Sequence, residues 1–470
     1  MKKYLPFSII IFSSLLFSPA LFNFFSSDDW FHLRISQINN FRDFLSFFSF
    51  LPNQHSAAFY RPLSTQTFFF VFQKLFGLNA WPYYLFVFLV FSLSLWLVYR
   101  LAKLIFKNER QSLLALVFYS FSVTHFTRLY FLSAFQEILM TVFVLLAILT
   151  YLKKPSWKMN MLTVLYFVLA LLSKETAVVL PLILILFDWF KKRFQWKRLI
   201  LLFIILLPFL YFRFFHFGQV DGDSYLWDFS PKKFINTFFW YGLWSFGVPE
   251  LLVDYVSSGF RILPRFFTDF PLWSKIVLSL ISFTLLSFIA LFAAHFKKVN
   301  FRRLIIFLGI FVLALLPVLF LPWHKFTLEL TLAMVGFSFL LAEVCLAKRS
   351  WLTVLFIAFF FILNLTMNVL TYQRHYSVAR SKIAKKVYQY FISNYPQYPK
   401  DNYFEFVNDQ KIENKIWGLS KQVAFAIGDD NFFQVLYYNH QIKVFYEDFP
   451  KEKPKDKKVI NIRSTIFLIP

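Results

Sequence analysis

Apolar runs of roughly fifteen to twenty-five residues recur along the chain from Leu5 to about residue 371, most of them closed by a short cluster of Lys and Arg. A bilayer core of about 30 Å takes about 20 apolar residues as a helix. Spacing the runs by their basic clusters predicts eleven spans, at 5–25, 80–102, 112–127, 135–152, 159–173, 175–190, 199–217, 272–296, 304–321, 328–347 and 351–371. A further run, "KFINTFFWYGLWSFGV" at 233–248, is apolar but short and lies between long loops, so it is read as an interfacial or re-entrant helix.

Clusters at Lys2–Lys3, Lys107 with Arg110, Lys153–Lys154 with Lys158, Lys191–Arg193 with Lys197 and Arg198, Lys297–Lys298 with Arg302–Arg303, and Lys348–Arg349 fall after alternate spans. Positively charged loops stay in the cytoplasm. The amino terminus is therefore expected inside and, with an odd number of spans, the carboxy terminus outside. The first run is about twenty residues long and lacks a small-x-small cleavage site, so it is read as an uncleaved span.

Beyond residue 371 the pattern changes. "RHYSVARSKIAKKVYQYFISNYP" has the spacing of an amphipathic helix. Short alternating runs follow: "NYFEFVN", "QVAFAI", "FFQVLYY", "QIKVFYE" and "VINIRSTIFLI". The fold expected is an all-α polytopic protein of the cytoplasmic (inner) membrane over 1–371, with a soluble extracytoplasmic α+β domain over 372–470.

Composition supports this division. Of 470 residues, 58% are hydrophobic and 16% charged, more apolar surface than a soluble globule can hide. A net charge of +24 raises nucleic acid as a partner, but the basic residues follow membrane loops and the tail without an aromatic-lined groove, which excludes it. Cys345 stands alone, so one chain can build neither a disulfide nor a cysteine metal site. Ten glycines with no Gly-rich strand-to-helix loop leave no nucleotide-sugar site.

The chemistry concentrates on the outer face. In "NFFSSDDWFHLRIS" the first span ends in Asp28 and Asp29, which open an external loop reaching to residue 79. Neighbours on a helix point about 100° apart, so one acid faces a pocket and the other caps. The plainer reading is a helix N-cap built from Ser26, Ser27 and both acids. The same loop carries amphipathic aromatic stretches and Arg61, immediately before a proline.

Lys174 and Glu175 lie between two apolar arms of about fifteen residues, which rise about 22 Å against a core of about 30 Å. The tip of this hairpin therefore sits below the surface, where charge marks function; the alternative is a salt bridge joining the two helices. Further cations at the outer ends of spans are His125 with Arg128, Arg213 with His216, and His324 with Lys325. Each has a headgroup-binding or snorkelling reading. Together they form a cationic rim around an acidic pair, suited to a phosphate-bearing lipid with a neutral reacting centre. In the tail, Asp429–Asp430–Asn431 reads as a turn or as part of an acceptor or glycan site.

"DDW" after the first span, "YRPLS", "HFTRLYFLSAFQEILM" and above all "LLSKETAVVLPLILILFDW" resemble the GT-C fold glycosyltransferases. Within them the resemblance is to bacterial relatives of protein O-mannosyltransferases and of tetratricopeptide-bearing transmembrane mannosyltransferases, and it covers most of residues 1–371. It implies Asp28 as the catalytic acid with Asp29 as its partner, and Arg61 and Lys174 on the phosphate of a polyprenyl-phosphate sugar. Where relatives often show an Arg-Tyr-Leu-Tyr-Leu-Pro-like stretch, this chain has "HKFTLELTLAMVGF", so His324 or Lys325 stands in for an arginine. No tetratricopeptide array follows.

The anomeric carbon of such a donor gains oxocarbenium character as the phosphate leaves. A carboxylate must take the acceptor's proton and cations must steady the leaving group. Asp28 is the expected general base of an inverting transfer, Arg61 and Lys174 the phosphate clamp with Arg128, His324 and Lys325 as further cations, and Glu175 an orienting group. Two acids leave a divalent metal open, but tight binding wants more oxygen ligands, so no cofactor or metal is expected to be obligatory. Membrane lipids are implied as partners, and protein, lipid-linked glycan and cell-wall acceptors stay open. The alternatives are a lipid or glycan transporter, whose paired broken helices in two similar halves are not seen, and a silent scaffold presenting the tail.

Overall fold

The structure is a computed structural model that describes residues 4–56, 59–216, 225–346, 350–399, 401–409, 418–449, 451–454 and 457–468. The apolar runs form helices because they contain few helix breakers and are bounded by caps. Ala80–Phe106 starts where the Asn79 side chain accepts from Trp81 N–H and stops at Lys107, which turns left-handed at φ 53°. Among the described residues, seven helical stretches are long and apolar enough to cross a membrane, against eleven expected: Leu5–Phe22, Ala80–Phe106, Leu132–Tyr151, Trp196–Phe215, Pro271–Lys298, Thr327–Leu346 and Trp351–Asn394. Trp157–Ser173 is a shorter apolar helix.

The other expected spans are helices too, but briefer. Leu180–Lys191 and Phe301–Leu315 overlap the expected 175–190 and 304–321. The run at 112–127 ends its helix at Ser120, because the Ser122 hydroxyl accepts from Thr124 N–H and starts a separate turn over Val123–His125. The 233–248 run is a helix, Pro231–Phe246, with Trp240, Tyr241 and Trp244 buried. The expected hairpin tip is sharp: Trp157–Ser173 ends, Lys174 is extended (φ −159°, ψ 138°), and Glu175–Val179 forms a 3-10 turn before Leu180.

Leu330–Leu346 lies in the most enclosed of the candidate spans and packs along Phe301–Leu315. The approach is close at Gly336, where an added Cβ would stand 2.4 Å from Phe307 O and 2.9 Å from Phe311 N.

The tail begins at a break. His375 is extended (ψ 136°) and its ring accepts from Ser377 N–H, so the amphipathic helix starts at Tyr376 and runs to Asn394. Among the described residues three strands follow, β1 Asn402–Val407, β2 Phe445–Tyr446 and β3 Lys458–Arg463, in the order β2-β1-β3 with both neighbours parallel to β1. Two alternating runs are helical instead: Leu419–Ile427 and Asn431–Leu436. Leu419, Val423 and Ile427 repeat every four residues and bury one face, and Gly428 closes the turn left-handed, so the helical period wins over the local alternation.

The tail is seated on the first loop. Ser27 N–H donates to Ala426 O (2.8 Å), Phe24 N–H to Ser381 Oγ (2.7 Å), and the Trp30 and Phe432 rings meet edge to face at 4.8 Å.

Gly336→Ala is expected to force the Leu330–Leu346 and Phe301–Leu315 helices apart and to cost about 1–3 kcal/mol. Thermal unfolding of the detergent-solubilised protein would show it as a lowered midpoint.

Candidate functional site

The two adjacent acids part ways at the start of Asp28–Ile35. Asp29 is fully buried and accepts three hydrogen bonds: from Ser26 N–H (2.9 Å), Ser133 N–H (2.8 Å) and Ser133 Oγ–H (2.6 Å). Burial raises its pKa, against the pull of these donors. It anchors the turn and lines no cavity described. Asp28 is exposed at the wall of a cavity. The protein mass around that cavity raises its pKa, while Arg380 pulls it down. Neither Ser27 nor its neighbours make the plain N-cap bond, since the Ser27 side chain donates to Phe425 O instead (2.9 Å).

The cavity, about 410 Å³, is walled by Asp28, His32, Arg61, Lys174, His324 and Glu329, with Tyr225 and Phe59 among its aromatic lining. Arg61 is held by a two-point pairing with Glu175, Nε donating to Oε2 at 2.7 Å and Nη2 to Oε1, while Nη1 donates to Gln136 Oε1 at 2.6 Å. Its guanidinium lies over the Phe59 ring, 4.1 Å from the centroid. Burial works against the Arg61 charge, and Glu175, with Glu329 and Glu137 behind it, more than restores it. His32 hydrogen-bonds Ser133 Oγ at 3.0 Å; burial and then Arg61 lower its pKa to about 3, so its imidazole is neutral.

Lys174 is buried between two carboxylates, donating to Glu137 and to Glu329 Oε2 (2.7 Å). His324 Nε2 stands 4.0 Å from the other Glu329 oxygen. Three carboxylates thus face two cations in one enclosed cluster, with Arg213 nearby on the wall of the adjoining cavity. That second cavity, about 160 Å³, shares Arg61, Lys174, Tyr225, His324 and Glu329 and continues between Phe209, Phe214 and Leu321.

A third hollow, about 450 Å³, opens on the other side of Asp28, against the tail: Arg380, Phe425, Asp429, Asn431 and Lys451 line it. Asp429 is left-handed (φ 59°) and pairs with Lys451 at 2.8 Å, and Asn431 Nδ2 donates to Gly428 O at 2.6 Å. The Asp429–Asp430–Asn431 cluster is therefore a turn that also faces this hollow.

The structure brings together Asp28, Arg61, Lys174, Glu175 and His324, and leaves two expected cations aside. Arg128 is buried, donating to the carbonyls of Thr327 (3.2 Å) and Leu328 (3.0 Å) and to Thr331 Oγ1 (2.8 Å), and it lines none of these cavities. Lys325 turns away to Asn236 Oδ1 (2.9 Å). The His216 side chain lies outside the described residues. Sequence reasoning passed over His32, Glu137, Glu329 and Arg380. Lone acids in the apolar runs "SAFQEILM" and "FTLELTLAM" were the available signal for the two glutamates. Among the described residues, no group of three or more His, Cys, Asp or Glu could hold a metal ion.

The fold and site define a mostly helical multi-pass membrane protein with a charged cavity at one end of its bundle. Residues 61–212 match the model of the dolichyl-phosphate-mannose-protein mannosyltransferase family, a segment that contains Arg61, Gln136, Glu137, Lys174 and Glu175. The chain is similar there to membrane glycosyltransferases with lipid-phosphate sugar donors. No curated protein matches the chain significantly.

Among solved structures, the archaeal oligosaccharyltransferase AglB from Archaeoglobus fulgidus, in complex with an inhibitory peptide and a dolichol-phosphate, is similar over 91% of this chain at 12% identity and a TM-score of 0.44. This chain spans 64% of that protein's length. ArnT from Cupriavidus metallidurans bound to undecaprenyl phosphate is similar over 94% of this chain and 89% of its own, at 14% identity and a TM-score of 0.36.

Lys174→Ala is expected to leave Glu137 and Glu329 buried without their shared cation and to cost about 3–5 kcal/mol. Adding Glu137→Gln should recover part of the loss. Unfolding midpoints of the single and double variants check both statements.

Proposed function

We propose that the protein is an integral-membrane glycosyltransferase that moves a sugar from a polyprenyl-phosphate donor to a hydroxyl-bearing acceptor with inversion, using Asp28 as general base. The observation that carries this reading is the position of Asp28: an accessible carboxylate between a cavity walled by Arg61 and His324 and a separate hollow under the tail. The family match over residues 61–212 supports the donor class.

In this reading the donor phosphate lies where the polar and apolar cavities share Arg61 and His324, with the first isoprene units against Phe209, Phe214 and Leu321. Arg61 is the principal phosphate contact. Its fork is already set by Glu175 and Gln136, so the charge is delivered in a fixed place. Lys174 is committed to Glu137 and Glu329 and holds the wall behind, and Arg128 and Lys325 stand off the cavity and take no part. The acceptor hydroxyl approaches Asp28 from the tail side, gives its proton to the carboxylate, and attacks the anomeric carbon as the phosphate departs. Asp29, saturated by Ser26 and Ser133, orients and does not react.

Asp28→Asn should lower turnover by about 10²-fold or more while donor binding stays within a few-fold. The test incubates purified protein with radiolabelled polyprenyl-phosphate sugars and membrane extract and scores the label leaving the lipid; undiminished transfer by this variant would remove Asp28 from the chemistry. Arg61→Ala should instead weaken apparent donor affinity.

The raised pKa of Asp28 fixes a pH dependence. A base works only when ionised, so turnover should fall as pH drops through a value above the ordinary aspartate pKa of about 3.9. A pH–rate profile of kcat measures that limb.

A further inference from the structure

Ser27, immediately before Asp28, has φ 51° and ψ −121°, a backbone conformation that a residue with a Cβ adopts only under constraint. The constraint comes from the tail. Ser27 N–H donates to Ala426 O at 2.8 Å, and Ser27 Oγ–H donates to Phe425 O at 2.9 Å while accepting from Arg380 Nη1 at 3.3 Å. The Ser27 carbonyl rests on Gly428, where an added Cβ would stand 2.6 Å away. Gly428 is left-handed (φ 65°) as the cap of Leu419–Ile427, so the same residue ends the tail helix and leaves room for the turn.

The N–H and hydroxyl of Ser27 are thus met by residues about four hundred positions further along the chain, and its carbonyl, which accepts from Trp30 N–H at 3.2 Å, abuts Gly428. We propose that the tail domain is a positioning device for the reacting carboxylate: segment Phe425–Gly428, with Arg380, holds Ser27 in its strained conformation and thereby aims Asp28 at the cavity. This rests on Asp28 being the base. Without the tail contacts, Trp30 N–H on the Ser27 carbonyl and the Asp29 bond to Ser26 remain but do not set the Ser27 φ, so the turn relaxes to an ordinary φ and Asp28 swings with it. Ser27, Gly428 and Arg380 are positioning residues that act through Asp28.

Gly428→Ala pushes on the Ser27 carbonyl without touching the donor cavity; it borders only the hollow under the tail, and the exchange readout and the Ser27→Gly rescue separate the turn from that hollow. In the full-length protein reconstituted in nanodiscs, hydrogen exchange of the peptide covering residues 23–30 should quicken by about tenfold. Turnover number should fall by about ten- to a hundredfold with donor KM within about twofold, since a displacement of about 1 Å suffices for such a loss. Ser27→Gly combined with Gly428→Ala should recover part of the turnover, because glycine adopts the new turn without strain.

Unchanged exchange in Gly428→Ala overturns the proposal, and so does faster exchange with turnover preserved. If Gly428→Ala fails to accumulate as folded protein, Arg380→Gln carries the same exchange and kcat-against-KM readouts. Full activity of Asp28→Asn would sink the assignment of the base, while the exchange result would still report whether the tail holds the turn.

Discussion

Five ionisable groups hold the cavity together from four distant places in the chain. Arg61 comes from the loop after the first span, Glu137 from the start of Phe135–Tyr151, Lys174 and Glu175 from the hairpin tip, and Glu329 from the turn before Leu330–Leu346. Largely buried in an apolar bundle, these charges are poorly solvated, so each must find an opposite charge in the protein. Packing between the helices is non-directional and would tolerate sliding. The ion pairs do not, because losing one partner strands the other. Their arrangement therefore fixes the relative height of the helix ends, and the height of the helix ends is what leaves a polar hollow open there.

The same constraint sorts the cations around the cavity. Lys174 is consumed by two carboxylates and Arg128 by carbonyls of the Thr327–Thr331 turn. Arg61 pairs with one carboxylate through Nε and Nη2 yet still lines both cavities. A guanidinium presents five donors in a rigid plane, and pairing with one acid leaves part of its fork for a second oxyanion. An ammonium between two acids has less to give. The chain thus divides the labour of its cations by geometry, and the division could not be foreseen from their positions beside apolar runs.

What the residues disclosed and what they hid follows the range of the interactions. Helices at the apolar runs and the hairpin tip at Lys174–Glu175 are local patterns of hydropathy and charge, and they are present in the structure, with seven of the runs, among the described residues, long enough to be candidate spans where eleven were expected. The divergence of Asp28 and Asp29 also followed from helical geometry. Glu137 and Glu329 went unnoticed because a lone acid in an apolar run has no local signature of its partner, which lies 37 residues away in one case and 155 in the other. The run "QVAFAI" alternates over six residues, but its wider window, from Leu419 to the Gly428 cap, has the period of a helix. Arg380 belongs to a tail helix whose sequence gives no hint that it folds back on the first loop.

That folding back gives the strained turn its meaning. A single residue forced to positive φ costs on the order of 1–3 kcal/mol, and a protein retains it only where neighbours over-determine it. Around Ser27 the neighbours are the carbonyls of Phe425 and Ala426, the Arg380 guanidinium and the bare face of Gly428. Asp29 completes the hold from the bundle side by drawing Ser26 N–H and Ser133 together. The turn is thus gripped from both directions, by the bundle through one acid and by the tail through one serine, and the carboxylate between those two grips is the one left facing open space. That placement, firm on each flank and open at the carboxylate, is what the proposed role of Asp28 as general base rests on.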